Sequence, residues 1–104
     1  MAVTAQSLAR AAAATSSTTL YTVPNSSTTT VVTNIDVTNT STSAQTFTVT
    51  LDNIDLMTAA TIAASTTAFF DLKQVLAANA TPKTIKGSAS ATTVNFHISG
   101  VEIA

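Results

Sequence analysis

The chain has no cysteine and no tryptophan, and only 9% of its residues are charged. Without cysteine there are no disulfides, thiolate metal ligands or cysteine nucleophiles, so stability is left to packing or to partners. Four Lys and Arg stand against five Asp and Glu, for a net charge of -1, and nowhere do basic residues form a run. Nothing here would neutralise a row of phosphates or draw the chain to an anionic bilayer, so neither nucleic acid nor membrane is expected as a partner. No stretch approaches the roughly twenty apolar residues that span a bilayer. The alanine-rich start, Met1 to Ala14, does not read as a secretory signal, because Arg10, Gln6 and Ser7 interrupt the only apolar stretch. One tyrosine and no tryptophan are also few for a surface built to recognise a receptor.

What the chain has instead is serine and threonine, about a third of all residues, set among Val, Ile, Leu and Phe. A hydrophobic fraction of 45% is enough for a packed interior, unlike that of a disordered Ser/Thr tract. The 104 residues fit one domain, which at this size buries roughly two thirds of the surface of the unfolded chain. Threonine alternating with branched apolar residues suits a half-buried sheet whose outward faces are neutral hydroxyls.

Residues 5–14 (AQSLARAAAA) contain good helix formers, and the expectation is an extended or short-helical N-terminal arm over 1–17 whose order depends on contacts. A β domain over 18–104 follows. In Thr29 to Thr38, period-two alternation puts Val31, Thr33, Ile35 and Val37 on one face and Val32, Asn34, Asp36 and Thr38 on the other. Phe47, Val49 and Leu51 alternate with threonines, and the loop Asn39 to Ser43 is expected to join these two strands as a hairpin. Val94, Phe96 and Ile98 form a third clear strand; Val101 and Ile103 fall one step out of phase, so a bulge at Gly100 is expected to return them to the core.

Weaker signals fill the rest. Tyr21 and Val23 share a face before the turn residues Pro24 and Asn25, and Ala68, Phe70 and Leu72 face inward with Phe69 outward beside Asp71. Leu72, Val75 and Leu76 have the spacing of a helical turn over 72–78. Ile85 between Thr84 and Lys86 reads as a protected edge strand, with Lys83 and Lys86 as solubilising charges, and residues 54–64 are ambiguous between strand and loop. The fold expected is all-β: a single antiparallel β-sandwich, Ig-like or jelly-roll-like, of about six to eight short strands, with a small barrel as the second choice.

No residue set points to a reaction. His97, the sole histidine, lies between Asn95 and Ser99 on an outward face, but the sequence places neither an orienting acid nor oxyanion donors beside it, and no enzyme activity is expected. Asp52, Asn53 and Asp55 are rich in oxygen, yet they lack the spacing and glycine of a calcium loop and read as a turn. Asn25, Asn39 and Asn79 match the glycosylation pattern, which a chain so rich in Ser and Thr generates by chance. No cofactor and no metal are expected. Protein contacts are expected first at Leu8 and Arg10 in the arm and at Phe69.

The succession LYTVP at Leu20 to Pro24, VVTNIDVTNTS at Val31 to Ser41, FTVTL at Phe47 to Leu51 and NFHISGVEI at Asn95 to Ile103 resembles small β-sandwich structural proteins of tailed-bacteriophage virions, both head-decoration and tail-associated. Where the fuller pattern carries a turn glycine, Ala78-Asn79-Ala80-Thr81-Pro82 stands here. The resemblance covers about residues 18–104. It implies a virion component, assembled in the host cytoplasm, that packs in multiple copies against a major capsid protein or other virion subunits and forms a homo-oligomer in the particle. A capsid decoration or cement protein is the expected role, since many modest contacts repeated by symmetry sum to strong attachment. The alternative is a tail or fibre module that binds a host receptor.

Overall fold

The computed structural model describes residues 2–104, so Met1 lies outside the described residues. Alternating apolar and hydroxyl residues give eight strands and no helix among them: β1 (Val3–Ala12), β2 (Thr18–Thr22), β3 (Thr29–Asn39), β4 (Gln45–Leu51), β5 (Ile54–Ile62), β6 (Thr66–Leu76), β7 (Thr84–Ala89) and β8 (Val94–Ile103). They form two four-stranded sheets, β1-β8-β3-β6 and β2-β7-β4-β5, and every ladder is antiparallel. The pairs β1/β8, β2/β7, β3/β6 and β4/β5 are those of one long hairpin of four-strand arms rolled over on itself. This connectivity is a jelly roll, one of the two sandwich types expected from the sequence.

Between the sheets lies a core of β-branched and aromatic side chains. Val32, Ile35, Val37, Val94, Phe96 and Ile98 from the first sheet meet Phe47, Val49, Leu51 and Ile85 from the second. Phe47 sits at the centre, its ring 6.3 Å from Phe96 edge-on and 6.3 Å from Phe70 at a tilt. The inward set of β4, Phe47, Val49 and Leu51, is the one its alternation predicts.

Several expectations are corrected. Residues 3–12 are extended, as one of the two expectations had it, but are no separate arm: β1 pairs with β8 along its length and is one edge of the first sheet, because a sheet edge satisfies backbone that an isolated ten-residue helix would leave marginal. Leu8 bulges out of that ladder, between Ser7 and Ala9, and turns into the core at 7% exposure, so it is a packing residue and no surface contact. β3 and β4 do not pair; the loop after Asn39 carries the chain from one sheet to the other. Residues 72–76 continue strand β6. β7 is interior, between β2 and β4, and the ambiguous 54–62 segment is an edge strand, β5.

The phase errors share one cause. On either side of Ser99 the neighbouring strands each carry an extra residue: β1 has one at Leu8, opposite Ser99 and Ile98, and β3 one at Thr33, opposite Gly100 and Ser99. The bulge at Thr33 turns Thr30 and Val32 inward, so Val31 belongs to the outer face although Ile35 and Val37 are buried as expected. β8 itself stays regular, so Gly100 is no bulge and has no positive φ. Glycine is required there for space: a Cβ would stand 2.2 Å from the Val31 carbonyl oxygen and 2.9 Å from Leu8 Cδ1. Val101 and Ile103 then face outward, and Glu102 faces inward.

Asn39 fastens the ends of two loops. Fully buried, its Nδ2 donates to the carbonyls of Ser43 (2.9 Å), Ala63 (3.2 Å) and Ile62 (3.3 Å), while its Oδ1 accepts from the Ser41 amide at 3.0 Å. A residue so enclosed is no glycan acceptor. Asn25 Oδ1 instead caps a turn, accepting from the Ser27 amide and from the Ser27 and Thr28 hydroxyls. Asn79 folds onto the Thr81 carbonyl without a positive φ, so the missing glycine costs this turn nothing. Asp52 and Asn53, with φ of 53° and 61°, form the two-residue turn joining β4 to β5, a mirror-image turn that Asp and Asn enter more readily than other residues with a side chain.

Glu102 meets a partner across the sandwich. The Tyr21 hydroxyl from β2 donates to Glu102 Oε2 and accepts from Thr30 Oγ1 at 2.8 Å, while Gln6 Nε2 donates to Glu102 Oε1 at 3.1 Å. Burial, seconded by the bond to Glu102, pushes the Tyr21 phenol up from 10.0 to about 12. Because the folded state holds the proton more tightly than the unfolded one, this linkage supports folding fully below pH 10, and the support is lost as pH rises through 12. Melting temperature is therefore expected to fall more steeply between pH 10 and 12 in the native chain than in Tyr21→Phe; parallel slopes in a thermal scan would refute the link.

Candidate contact surface

The two outer faces of the sandwich differ in chemistry. On the second sheet, Thr46, Thr48 and Thr50 of β4 lie beside Thr61 and Asp55 of β5 and beside Ser88 and Lys86 of β7, with Thr19 of β2 next to Lys86. This is a hydroxyl face, and its polarity follows from strict alternation with buried Phe47, Val49 and Leu51.

The outer face of the first sheet is built in rows that cross all four strands. At one end Ala5, Val101, Val31 and Val75 stand side by side, with Val3 and Ile103 adjoining them. Next come Ser7, Ser99, Asn34 and Asp71, where Asn34 Nδ2 donates to Asp71 Oδ1 at 3.3 Å. Beyond them Arg10, His97, Asp36 and Phe69 form a third row. One end is therefore a valine-rich band and the middle a charged row that ends on an aromatic ring. Val3, Val75 and Phe69 are among the most exposed large apolar side chains of the described residues, Phe69 at 72%. Leaving apolar side chains contiguous on a sheet face is unfavourable in water.

Of the residues singled out from the sequence, Arg10 and Phe69 stand at the two ends of one row, with two strands between them, and Leu8 lies in the core beneath the sheet. The valine band was missed because inward placement had been assumed for Val101, Ile103 and Val31. For Val101 and Ile103 the signal was present as the break of phase at Gly100, since the apolar residues that fall out of phase are the outward ones; for Val31, in phase with Ile35 and Val37 until the bulge at Thr33, there was none.

For His97 the fold supplies what the sequence did not place, an acid in the adjacent position, Asp36. Asp36 Oδ1 is shut away from solvent with no hydrogen-bond partner, so no hydrogen bond orients the imidazole through that oxygen. At the far end, a cleft of about 220 Å³ between the tip of the β4–β5 hairpin and the end of β6 is lined by Leu51, Asp52, Ile54, Asp55, Leu56, Gln74 and Val75. Its carboxylates are engaged elsewhere: Asp52 lies 3.4 Å from Lys83 Nζ, and Asp55 accepts from the Thr50 and Thr58 hydroxyls at 3.0 and 2.9 Å. Among the described residues no three His, Asp or Glu side chains converge as metal ligands.

No family model matches the chain, and no curated protein does. Solved structures do. A chain of the Gx strain of infectious bursal disease virus superposes with a TM-score of 0.55 at 15% identity, over 97% of this chain. A chain of the T13 particle of the same icosahedral virus gives 0.51 at 13% identity, again over 97%. The likeness is one of fold. In both cases the present chain spans 30% of the viral chain's length.

Proposed function

We propose that the chain is a structural subunit of a virus-type particle, held there by the outer face of its first sheet. The observation that carries this reading is the valine band, Ala5, Val101, Val31 and Val75 with Val3 and Ile103, left on the outer face of one sheet while the outer face of the other is lined by hydroxyls. The near-complete superposition on part of two virus-particle chains supports it. So does the scarcity of charge, because neutral hydroxyls are desolvated at much lower cost than ions when subunits close on each other. In its narrower form the proposal is a decoration protein on a tailed-phage head, docked on the major capsid protein, which the strand succession described above favours. The role is structural, and no catalytic step is assigned to His97.

The test is association. The purified chain is expected either to assemble into shells visible by negative-stain electron microscopy or to co-sediment with emptied phage heads at saturable stoichiometry. Val101→Glu should abolish either behaviour while leaving the β circular-dichroism spectrum intact. A chain that does neither, or a Val101→Glu variant that associates unchanged, overturns the proposal.

A further inference from the structure

β6 is the edge of the first sheet opposite β1, eleven residues long, without proline or glycine. Its outer face reads Phe69, Asp71, Lys73, Val75 at two-residue steps, all exposed, whereas Phe70 and Leu72 are half-buried, Gln74 is exposed and Leu76 is buried; on its inner side the ladder to β3 shifts register between Asp71 and Gln74. Natural edge strands are ordinarily short, irregular or uniformly charged, which keeps them from pairing. β6 is long, and its pattern of apolar, acid, base, apolar has a symmetry of its own. Turned antiparallel about Leu72 onto a copy of itself, it sets Asp71 opposite Lys73 twice and Phe69 opposite Val75 twice. Slipping the register to centre on Asp71 sets two carboxylates against each other, and centring on Lys73 does the same with two ammonium groups. Only the Leu72 register is complementary, and directly opposed side chains are the pairs that decide register in a sheet.

We infer that β6 is a self-pairing edge, where a second copy of this chain adds its own β6 antiparallel about Leu72 and the two first sheets continue as one eight-stranded sheet. A two-fold axis perpendicular to the sheet relates the copies, the isologous arrangement that a self-complementary edge requires. The outer faces then stay on the same side, so the valine bands of both copies remain available. The inference deepens the shell-subunit reading by naming one contact, and it rests on that reading for the presence of a second copy at high local concentration.

Sedimentation equilibrium of the full chain tests it. Asp71→Lys and Lys73→Asp each place like charges opposite one another and are expected to weaken dimerisation about tenfold or more, while Asp71→Lys with Lys73→Asp restores opposite charges and with them the dimer. Because the chain contains no cysteine, Phe69→Cys with Val75→Cys provides a second readout. The two positions are roughly 20 Å apart along one strand, too far for a disulfide within a chain, so oxidation should yield a dimer with a 69-to-75 crosslink by mass spectrometry. A strictly monomeric chain, a dimer indifferent to the charge changes, a double reversal that fails to restore it, or crosslinks at other pairings overturns the inference. Shells that assemble unaffected by these variants refute the β6 contact and leave the subunit reading standing. A β6 dimer that never proceeds to larger assemblies or binds heads does the reverse.

Discussion

Gly100→Ala is expected to be among the most damaging single-methyl substitutions available in this chain. The added Cβ would lie 2.2 Å from the Val31 carbonyl oxygen, and that oxygen belongs to backbone held on both sides by the β8 and β6 ladders. A flexible side chain would rotate away from such a contact; a carbonyl in the middle of a sheet moves only if the sheet does. Overpacking of well-filled sites costs about 1–3 kcal/mol and more where backbone must shift, so a loss of about 3 kcal/mol is expected here. Urea denaturation should show a lower midpoint with unchanged slope, and Ser99→Ala, on the exposed face next door, should change little. Equal midpoints for Gly100→Ala and the native chain would mean that β3 does not press on β8 as described.

Phe96→Ala should have an effect as large by the opposite mechanism. Phe96 is the largest of the fully buried side chains, it meets Phe47 edge-on, and its ring occupies the space that Gly87 leaves by having no side chain of its own. Removing it deletes buried apolar surface and leaves a void between the sheets, for which about 3–5 kcal/mol is the usual cost. A domain of this size is stable by about 5–15 kcal/mol, so the variant should lose a large part of its margin and melt roughly 15–30 °C lower. Phe96→Leu, which refills most of the volume, should recover much of the loss in the same thermal scan. If the two variants melt together, the ring's shape and not its volume governs this part of the core.

The sequence was most legible where a strand is regular. Phe47, Val49 and Leu51 alternate without a break, and every one is buried. Phe69 was placed outward by the same rule. Legibility ended at the bulges. Thr33 and Leu8 each add a residue that no local signal announces, because a bulge is defined by the partner strand and not by its own sequence. From there the error spread: Val31 was assigned to the core, Leu8 to the surface, and the outward run of Val101 and Ile103 to an inward one. β1 was misread for a different reason. Its alanines satisfy helix propensity as well as any sequence would, and a strand there exists only because β8, some ninety residues later, presents an edge to it. Of the proposed contact face, Arg10 and Phe69 were singled out from the sequence, while its valine band was hidden by the assumption that apolar means buried.

The rolled-hairpin connectivity also dictates an order of events. β4 and β5 are neighbours in sequence joined by a two-residue turn, so they can meet within microseconds, whereas β1 must wait for β8 and the ends of the described chain come together last, with Ala104 N–H reaching Ala2 O at 2.9 Å. β1 stays an unpaired ribbon until β8, far along the sequence, is available to it. Its small, weakly apolar side chains suit that interval, since a stickier β1 would have all of it in which to find the wrong partner.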